Sequence, residues 1–331
     1  AKVDLFGSSA VDLYLPSSDI DLVIHNINFS KKMMYTLAKR LKDLHLITSS
    51  QVIPSAKIPL IKCISRHHSN MRIDITFSHF TGVRAIPQVL SYLTTYPSLS
   101  PLVFFLKLYL AQRGLNEPFT GGMSSFAILL LFVSFFQQYK NYRKGDQRTP
   151  NINTIKFGTL LFHFFDLYGR KFNFITTGIS TTSGGCYFPK PHQKLGPRHI
   201  KQPELPYLVD PLDESNNVTR STSQIHLIRS EFADSYDRIL DGIDVYGQDP
   251  TVEEVRDLVW RELLLLPPPE KNETPQRYML LSDKLASNSE GGKGKGKGKE
   301  GKGGEKKESR KRRERGEGER ELEERPKKKK K

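Results

Sequence analysis

The sequence predicts an α+β fold in three parts: a mixed sheet with helices, a helical domain after it, and a disordered basic tail. Three observations predict it. Short β-rich apolar runs with a single helical run fill roughly the first 80 positions, long apolar helical runs follow from Val83, and apolar residues almost vanish after Leu285.

In the first part, Val3–Phe6, Asp19–His25, Ile58–Ile64 and Arg72–Phe77 read as strands, with Lys31–Leu46 as the helix among them. Ser65–Asn70 is a polar turn between the last two strands. In the second part Val83–Thr95, Leu102–Gly114, Ser124–Lys140 and Ile155–Tyr168 read as helices separated by proline and glycine pairs. Phe172–Thr176 and Cys186–Phe188 flank a Thr/Ser/Gly-rich turn and predict a small hairpin. Pro189–Pro206 is a loop, and Ser223–Leu240 and Thr251–Leu266 are further helices. The divisions are residues 1–82, 83–266 and 267–331.

The tail from Ser287 to Lys331 holds 19 Lys or Arg against 10 Asp or Glu, a net of +9 out of the chain's +15. Its GKGKGKGK run and mixed Lys, Arg and Glu blocks cannot bury enough apolar surface to offset the entropy of ordering them. A basic body with a more basic tail favours a polyanionic partner, because each neutralised phosphate releases condensed counterions. Cys63 and Cys186 stand far apart without spaced ligand partners, so neither a disulfide framework nor a zinc site is expected. The longest apolar stretch, Phe126 to Phe136 with Ser134 inside it, falls short of the about 20 residues that cross a bilayer and reads as a buried core helix. The chain opens at Ala1 without an initiator Met and reads as a fragment or an incomplete gene model.

The chemistry lies in LFGSSAVDLYLPSSDIDLVI, from Leu5 to Ile24. Gly7 and Ser8 end one strand. Asp19 and Asp21 sit two apart in the next, so both carboxylates project from one face, where they repel each other unless a cation is shared. A hard divalent ion, Mg²⁺ or Mn²⁺, takes carboxylates together with substrate phosphate oxygens. A lone Asp-x-Asp is more often an alternating solvent-facing edge, but Ile20, Leu22 and Val23 imply a buried side, and Ile73-Asp74-Ile75 places a third acid in a later strand.

Together these pieces resemble the signature of the DNA polymerase β-like nucleotidyltransferases: apolar-Gly-Ser, about ten residues, Asp-apolar-Asp, then a separate apolar-Asp-apolar strand. The segments PLVFFLKLYLAQRGLNEPFTGGMSSFAILLLFVSFFQ, LYGRKFNFITTGIS and VDPLDESNNVTRS narrow it. They resemble the central domain and nucleotide recognition motif of the non-canonical poly(A) polymerases, the group of the TRAMP complex's catalytic subunit.

The resemblance implies a template-independent RNA nucleotidyltransferase that adds adenylates from ATP to RNA 3′ ends. Asp19, Asp21 and Asp74 would hold two metal ions, and Gly7 and Ser8 would meet the triphosphate. Lys107 interrupts the apolar run LVFFLKLYLA, where a charge needs a partner or a path to water; the resemblance gives it the triphosphate. On spacing alone Ser125 and Phe126 are a helix cap and a core aromatic, whereas the resemblance puts them at phosphate and base. Thr81 stands where the family has a sugar-contacting Asn, and Asn216, Asn217 and Arg220 lie in the base-recognition stretch. Implied partners are a zinc-knuckle RNA-binding protein and an RNA helicase, in the nucleus or nucleolus, with no membrane.

Three residues depart from the family's pattern: Asp12 replaces a usual Gly, Thr81 an Asn, and Thr219 a small residue beside Arg220. The palm helices that normally precede the Gly-Ser strand are absent from this sequence. Two other readings stay open: the same chemistry with UTP, a terminal uridylyltransferase, and an inactive RNA-binding scaffold. His67, His68, His192 and His199 have no spaced acid or cysteine and read as solvated.

Overall fold

The first element in space, as in sequence, is a five-stranded sheet built from β1 (Lys2–Phe6), β2 (Ile20–His25), β3 (Ile47–Ile53), β4 (Leu60–Ser65) and β5 (Arg72–Phe77). The structure is a computed structural model and describes residues 1–27, 30–56, 58–67, 71–77, 80–143, 151–191, 201–246, 259 and 263–264. The strand order is β1-β2-β5-β4-β3. β2 runs parallel to β5 and the other neighbours are antiparallel. Expected Ile58–Ile64 is displaced by one or two residues. β3 was not expected: its sequence, ITSSQVI, alternates too weakly to advertise a strand.

Helix α1 (Lys31–Asp43) packs one face of the sheet. It is capped by the Ser30 hydroxyl, which accepts the Met33 N–H at 3.2 Å. Met34 and Ala38 meet Ile47, Ile61, Cys63, Ile75 and Phe77 there. Because strand side chains alternate, this burial sends Asp21 and Asp74 to the other face. The register then forms one row across the sheet: Phe6 beside Asp21, Asp21 beside Asp74, Asp74 beside Lys62, and Lys62 beside Gln51.

The helical part contains α2 (Thr81–Thr95), α3 (Leu99–Gln112), α4 (Ser125–Tyr142), α5 (Phe157–Phe165) and α6 (Ile225–Tyr246). α4 is the expected core helix, with Ala127 through Phe136 all buried. The expected helix over Ile155–Tyr168 is shorter, and a π-helical turn over Asp166–Lys171 follows it. Gly169 in that turn lets α6 approach, since a β-carbon there would lie 2.6 Å from the Ala233 nitrogen. An aromatic core of Phe132, Phe164, Phe165, Tyr168 and Phe232 fills the interior, with Phe132 and Phe164 stacked at 4.1 Å. Val11 and Leu13, from the loop between β1 and β2, are buried in this same core and tie the sheet to the helices.

Two hairpins complete the described fold. β6 (Thr177–Ser180) pairs with β7 (Cys186–Pro189), so the first strand follows the expected Phe172–Thr176; Phe172 and Phe174 are core residues instead. The second hairpin, β8 (Val209–Asp210) with β9 (Asp213–Asn217), occupies a stretch that read as polar loop. No single described helix is long and apolar enough to cross a membrane. Expected Thr251–Leu266 apart from residues 259 and 263–264, all of 267–331, and residues 192–200 of the Pro/Lys-rich loop lie outside the described residues.

Candidate active site

A cavity of about 600 Å³ opens between the sheet's acid-bearing face and α2, α3 and α4. Its walls bring together Gly7, Ser8, Asp19, Asp21, Asp74, Thr81, Lys107, Ser125 and Phe126, nine residues singled out from the sequence. Asn216, Asn217 and Arg220 do not line it. The Asn217 amide instead fixes its own hairpin: its Oδ1 accepts from the Leu208 and Thr219 N–H groups at 3.0 Å, and its Nδ2 donates to the Pro206 carbonyl at 3.0 Å. Asn216 Nδ2 donates to Asp210 at 3.0 Å, and it is Asp210 and Leu212 that reach the cavity. Arg220 is exposed.

Gly7 enters the turn after β1 with φ +69°, a left-handed conformation that favours glycine. It also clears space: a β-carbon there would lie 3.0 Å from Asp21 Cγ and closer still to Oδ2. The backbone therefore sits directly against the carboxylate. Asp12, where the resemblance expects Gly, has φ +55° and side-chain exposure, so the left-handed backbone persists with a residue that tolerates it. Thr219, the other small-residue position, is buried and its hydroxyl bonds Pro206 O at 3.0 Å and Asn217 Oδ1 at 2.8 Å.

The acids are not equivalent. Asp21 is pushed up to about 7 by burial and by the negative charges of Asp74 and Asp19. Asp74 is raised by burial as well, although Lys62 lies 3.0 Å away and opposes the shift. Asp19 precedes β2 and pairs with Arg72 at 2.5 Å, whose other nitrogen donates to Ser17 O at 2.6 Å. Among the described residues Asp21 makes no salt bridge. Asp19 and Asp74 are turned to their basic partners, so the three carboxylates as they stand do not close into one set of ligands. The donor chemistry nonetheless fits a hard divalent cation: oxygen ligands only, and a half-buried Asp21 charge that two neighbouring acids repel.

Across the cavity, Lys107 is 4% exposed, which excludes a solvated ammonium. Its Nζ donates to the Leu13 carbonyl, and burial lowers it to about 8 against the pull of Asp21. Ser124, not Ser125, caps α4 by accepting the Ala127 N–H at 3.1 Å. That leaves the Ser125 hydroxyl free to face the cavity at the positive end of an 18-residue helix. Phe126 follows it half-buried. Sequence reasoning missed Asn116, Glu117, Lys62, Arg72 and Asp210 as lining residues. For Lys62 the signal was its alternation opposite the buried Ile61 and Cys63, and for Arg72 its place two residues before Asp74 in the same strand; Asn116, Glu117 and Asp210 carried none.

Comparison with known proteins gives the family. The family profile described as the central palm domain of poly(A) RNA polymerase, mitochondrial-like, matches residues 1–92, and that of Cid1 family poly A polymerase matches residues 156–216. A solved structure described as the polymerase core of TRAMP, an RNA surveillance complex, is 32% identical, covers 76% of this chain and 78% of its own, and superposes with a TM-score of 0.64. The chain belongs to the non-canonical poly(A) polymerase family. Among the family's curated members, poly(A) RNA polymerase cid14 of Schizosaccharomyces pombe is 38% identical over 237 residues, 70% of this chain and 34% of that protein. The inactive non-canonical poly(A) RNA polymerase protein Trf4-2 of Drosophila melanogaster is 33% identical over 228 residues, 67% and 54% of the two chains. The chain thus spans about a third to a half of the length of these poly(A) polymerase relatives.

Proposed function

We propose that this chain is a template-independent RNA nucleotidyltransferase that adds adenylates from ATP to RNA 3′ ends, as a nuclear RNA-processing or surveillance enzyme. In this reading residues 1–82 form the catalytic palm and residues 83–266 the helical domain that closes over the nucleotide. The observation that carries it is the row of cross-strand partners: Asp21 opposite Asp74, with Asp19 two residues away, and Gly7 packed against the Asp21 carboxylate. Membership of the family supports the choice of ATP and RNA, and the likeness to the polymerase core of an RNA surveillance complex supports a role within such an assembly, with the zinc-knuckle protein and helicase that the sequence resemblance implies as its partners.

Asp19, Asp21 and Asp74 would hold Mg²⁺ or Mn²⁺, which supplies charge neutralisation at the transferring phosphoryl group and its leaving pyrophosphate. The chain's own groups do the positioning. Gly7 and Ser8 offer backbone N–H groups and a hydroxyl to the triphosphate, and Ser125 adds the N-terminal end of α4. Lys107 presents an ammonium held ready by the Leu13 carbonyl. Phe126 offers a ring to the base, Thr81 a hydroxyl to the sugar, and Asp74 stands nearest the incoming RNA 3′ hydroxyl. Asn216 and Asn217, with Arg220 after them, shape the hairpin that carries Asp210 to the base.

Alanine substitution tests the assignment. Asp19→Ala and Asp21→Ala should each abolish nucleotide addition, while Asp74→Ala should keep ATP binding better than turnover. Extension by either of the first two variants at near wild-type rate in Mg²⁺ would sink it.

A further inference from the structure

Phe119 is 96% exposed, the most exposed large apolar side chain among the described residues, yet the turn carrying it is tightly built. It sits in a short 3-10 turn, Pro118–Thr120, between α3 and α4. Glu117 O accepts the N–H groups of Thr120 at 3.2 Å and Gly122 at 2.8 Å, and the Thr120 hydroxyl at 3.0 Å. Pro118 fixes its own φ, and Met123 N donates to Leu115 O at 2.8 Å. From the far side, Gln224 N donates to the carbonyl of Gly121, whose φ of +98° ends the turn. The backbone of the turn is thus fixed by several hydrogen bonds, and the phenyl ring stands in water on it.

The location supplies the ligand. Glu117 and Pro118, immediately before Phe119, line the cavity, as does Lys62 on the facing strand. Lys62 and Arg72, paired with Asp74 and Asp19, also line that cavity, with side-chain exposures of 47% and 62%. Cations for phosphates and a rigid aromatic for a base, at the rim of a nucleotidyl-transfer cavity, are the two components of single-strand nucleic-acid binding.

Resting on the function proposed above, we propose that Phe119 is a stacking platform for a base of the RNA acceptor strand, and so a positioning residue for the 3′ end. Stacking is blind to base identity, because every base has a π-face, so it serves an enzyme that must accept any 3′ sequence. Glu117 beside it disfavours a phosphate at that spot and leaves the base as the contacting group.

Two readouts test it. Single-stranded oligonucleotides with 2-aminopurine near the 3′ end should be quenched by the wild-type protein and by Phe119→Trp, and much less by Phe119→Ala. In primer extension, Phe119→Ala should raise the KM for oligo(A), oligo(C) and oligo(U) primers alike by about five- to a hundredfold, with the KM for ATP and kcat at saturating primer unchanged. A thermal melt should match wild type, since the ring buries almost nothing. Unchanged quenching and unchanged primer KM in Phe119→Ala would overturn the proposal and leave the ring as a protein-partner contact. If the wild-type protein added no nucleotide but its quenching still depended on Phe119, the transferase reading would fall and the stacking site would stand.

Discussion

Replacing Gly7 with alanine adds one methyl group at the point where the backbone meets the Asp21 carboxylate. The residue has φ +69°, and an L side chain in that region costs about 1–2 kcal/mol. The new carbon would fall 3.0 Å from Asp21 Cγ and nearer to Oδ2, so the carboxylate or the turn must shift by about 1 Å to restore ordinary contact. A displacement of that size in a reacting constellation costs on the order of a hundredfold in rate. Gly7→Ala should therefore lose about 1–3 kcal/mol in urea unfolding and at least about a hundredfold in kcat for ATP addition to an oligo(A) primer. Gly158, whose β-carbon would meet nothing within 4 Å, is the control, and its alanine variant should extend normally. Wild-type turnover by Gly7→Ala would refute the idea that the turn sets the position of Asp21.

Lys107, lowered to about 8, should lose its charge as pH rises through that value, so ATP addition should decline above about pH 8. The stability sign is opposite: with a folded value below the unfolded 10.5, the cost of burying the ammonium is relieved between about 8 and 10.5. Lys107→Met should remove the alkaline limb and raise the KM for ATP about ten- to a hundredfold. Asp21, raised above its unfolded 3.8 to about 7, favours folding only while protonated; in metal-free protein that contribution is lost as pH rises from 3.8 to 7. Asp21→Asn should accordingly be more stable than wild type at pH 8 without metal, by about 1–3 kcal/mol in urea titration, while inactive. Truncation at Asn288 should weaken binding to every RNA similarly and flatten its salt dependence, by about 0.7 in log-log slope per lost phosphate contact; equal slopes would show that the tail does not touch phosphates.

The sheet and the acids were legible because they obey a period. Burial of Ile73, Ile75 and Phe77 against α1 forces Asp74 to the other face, and the same alternation places Asp21. α4 was legible as a run of apolar residues bounded by a capping serine. β3 was not, since Thr48, Ser49, Ser50 and Gln51 give an edge strand no apolar rhythm and only pairing with β4 defines it. The β8–β9 hairpin was equally hidden: Asp213 to Asn217 is polar throughout, held by side-chain bonds such as Asn217 to Pro206 and Asn216 to Asp210. Phe172 and Phe174 look like a strand by composition but serve the aromatic core. Within the site, the types of residue were readable and the partners were not. That Lys107 rests on the Leu13 carbonyl, or that Arg72 covers Asp19, depends on residues 94 and 53 positions apart in the chain.

The most direct measurement is primer extension by wild-type protein and Asp21→Asn on an oligo(A) RNA, with each of the four NTPs at one concentration in Mg²⁺. The account predicts that the wild-type protein adds ATP about ten- to a hundredfold faster than UTP, because a base edge that leaves buried polar groups unpaired costs roughly 1–3 kcal/mol each. Asp21→Asn should add none of the four. Equal rates with ATP and UTP would contradict the adenylate assignment, and no addition of any nucleotide by the wild-type protein would contradict the enzyme itself in favour of an RNA-binding scaffold.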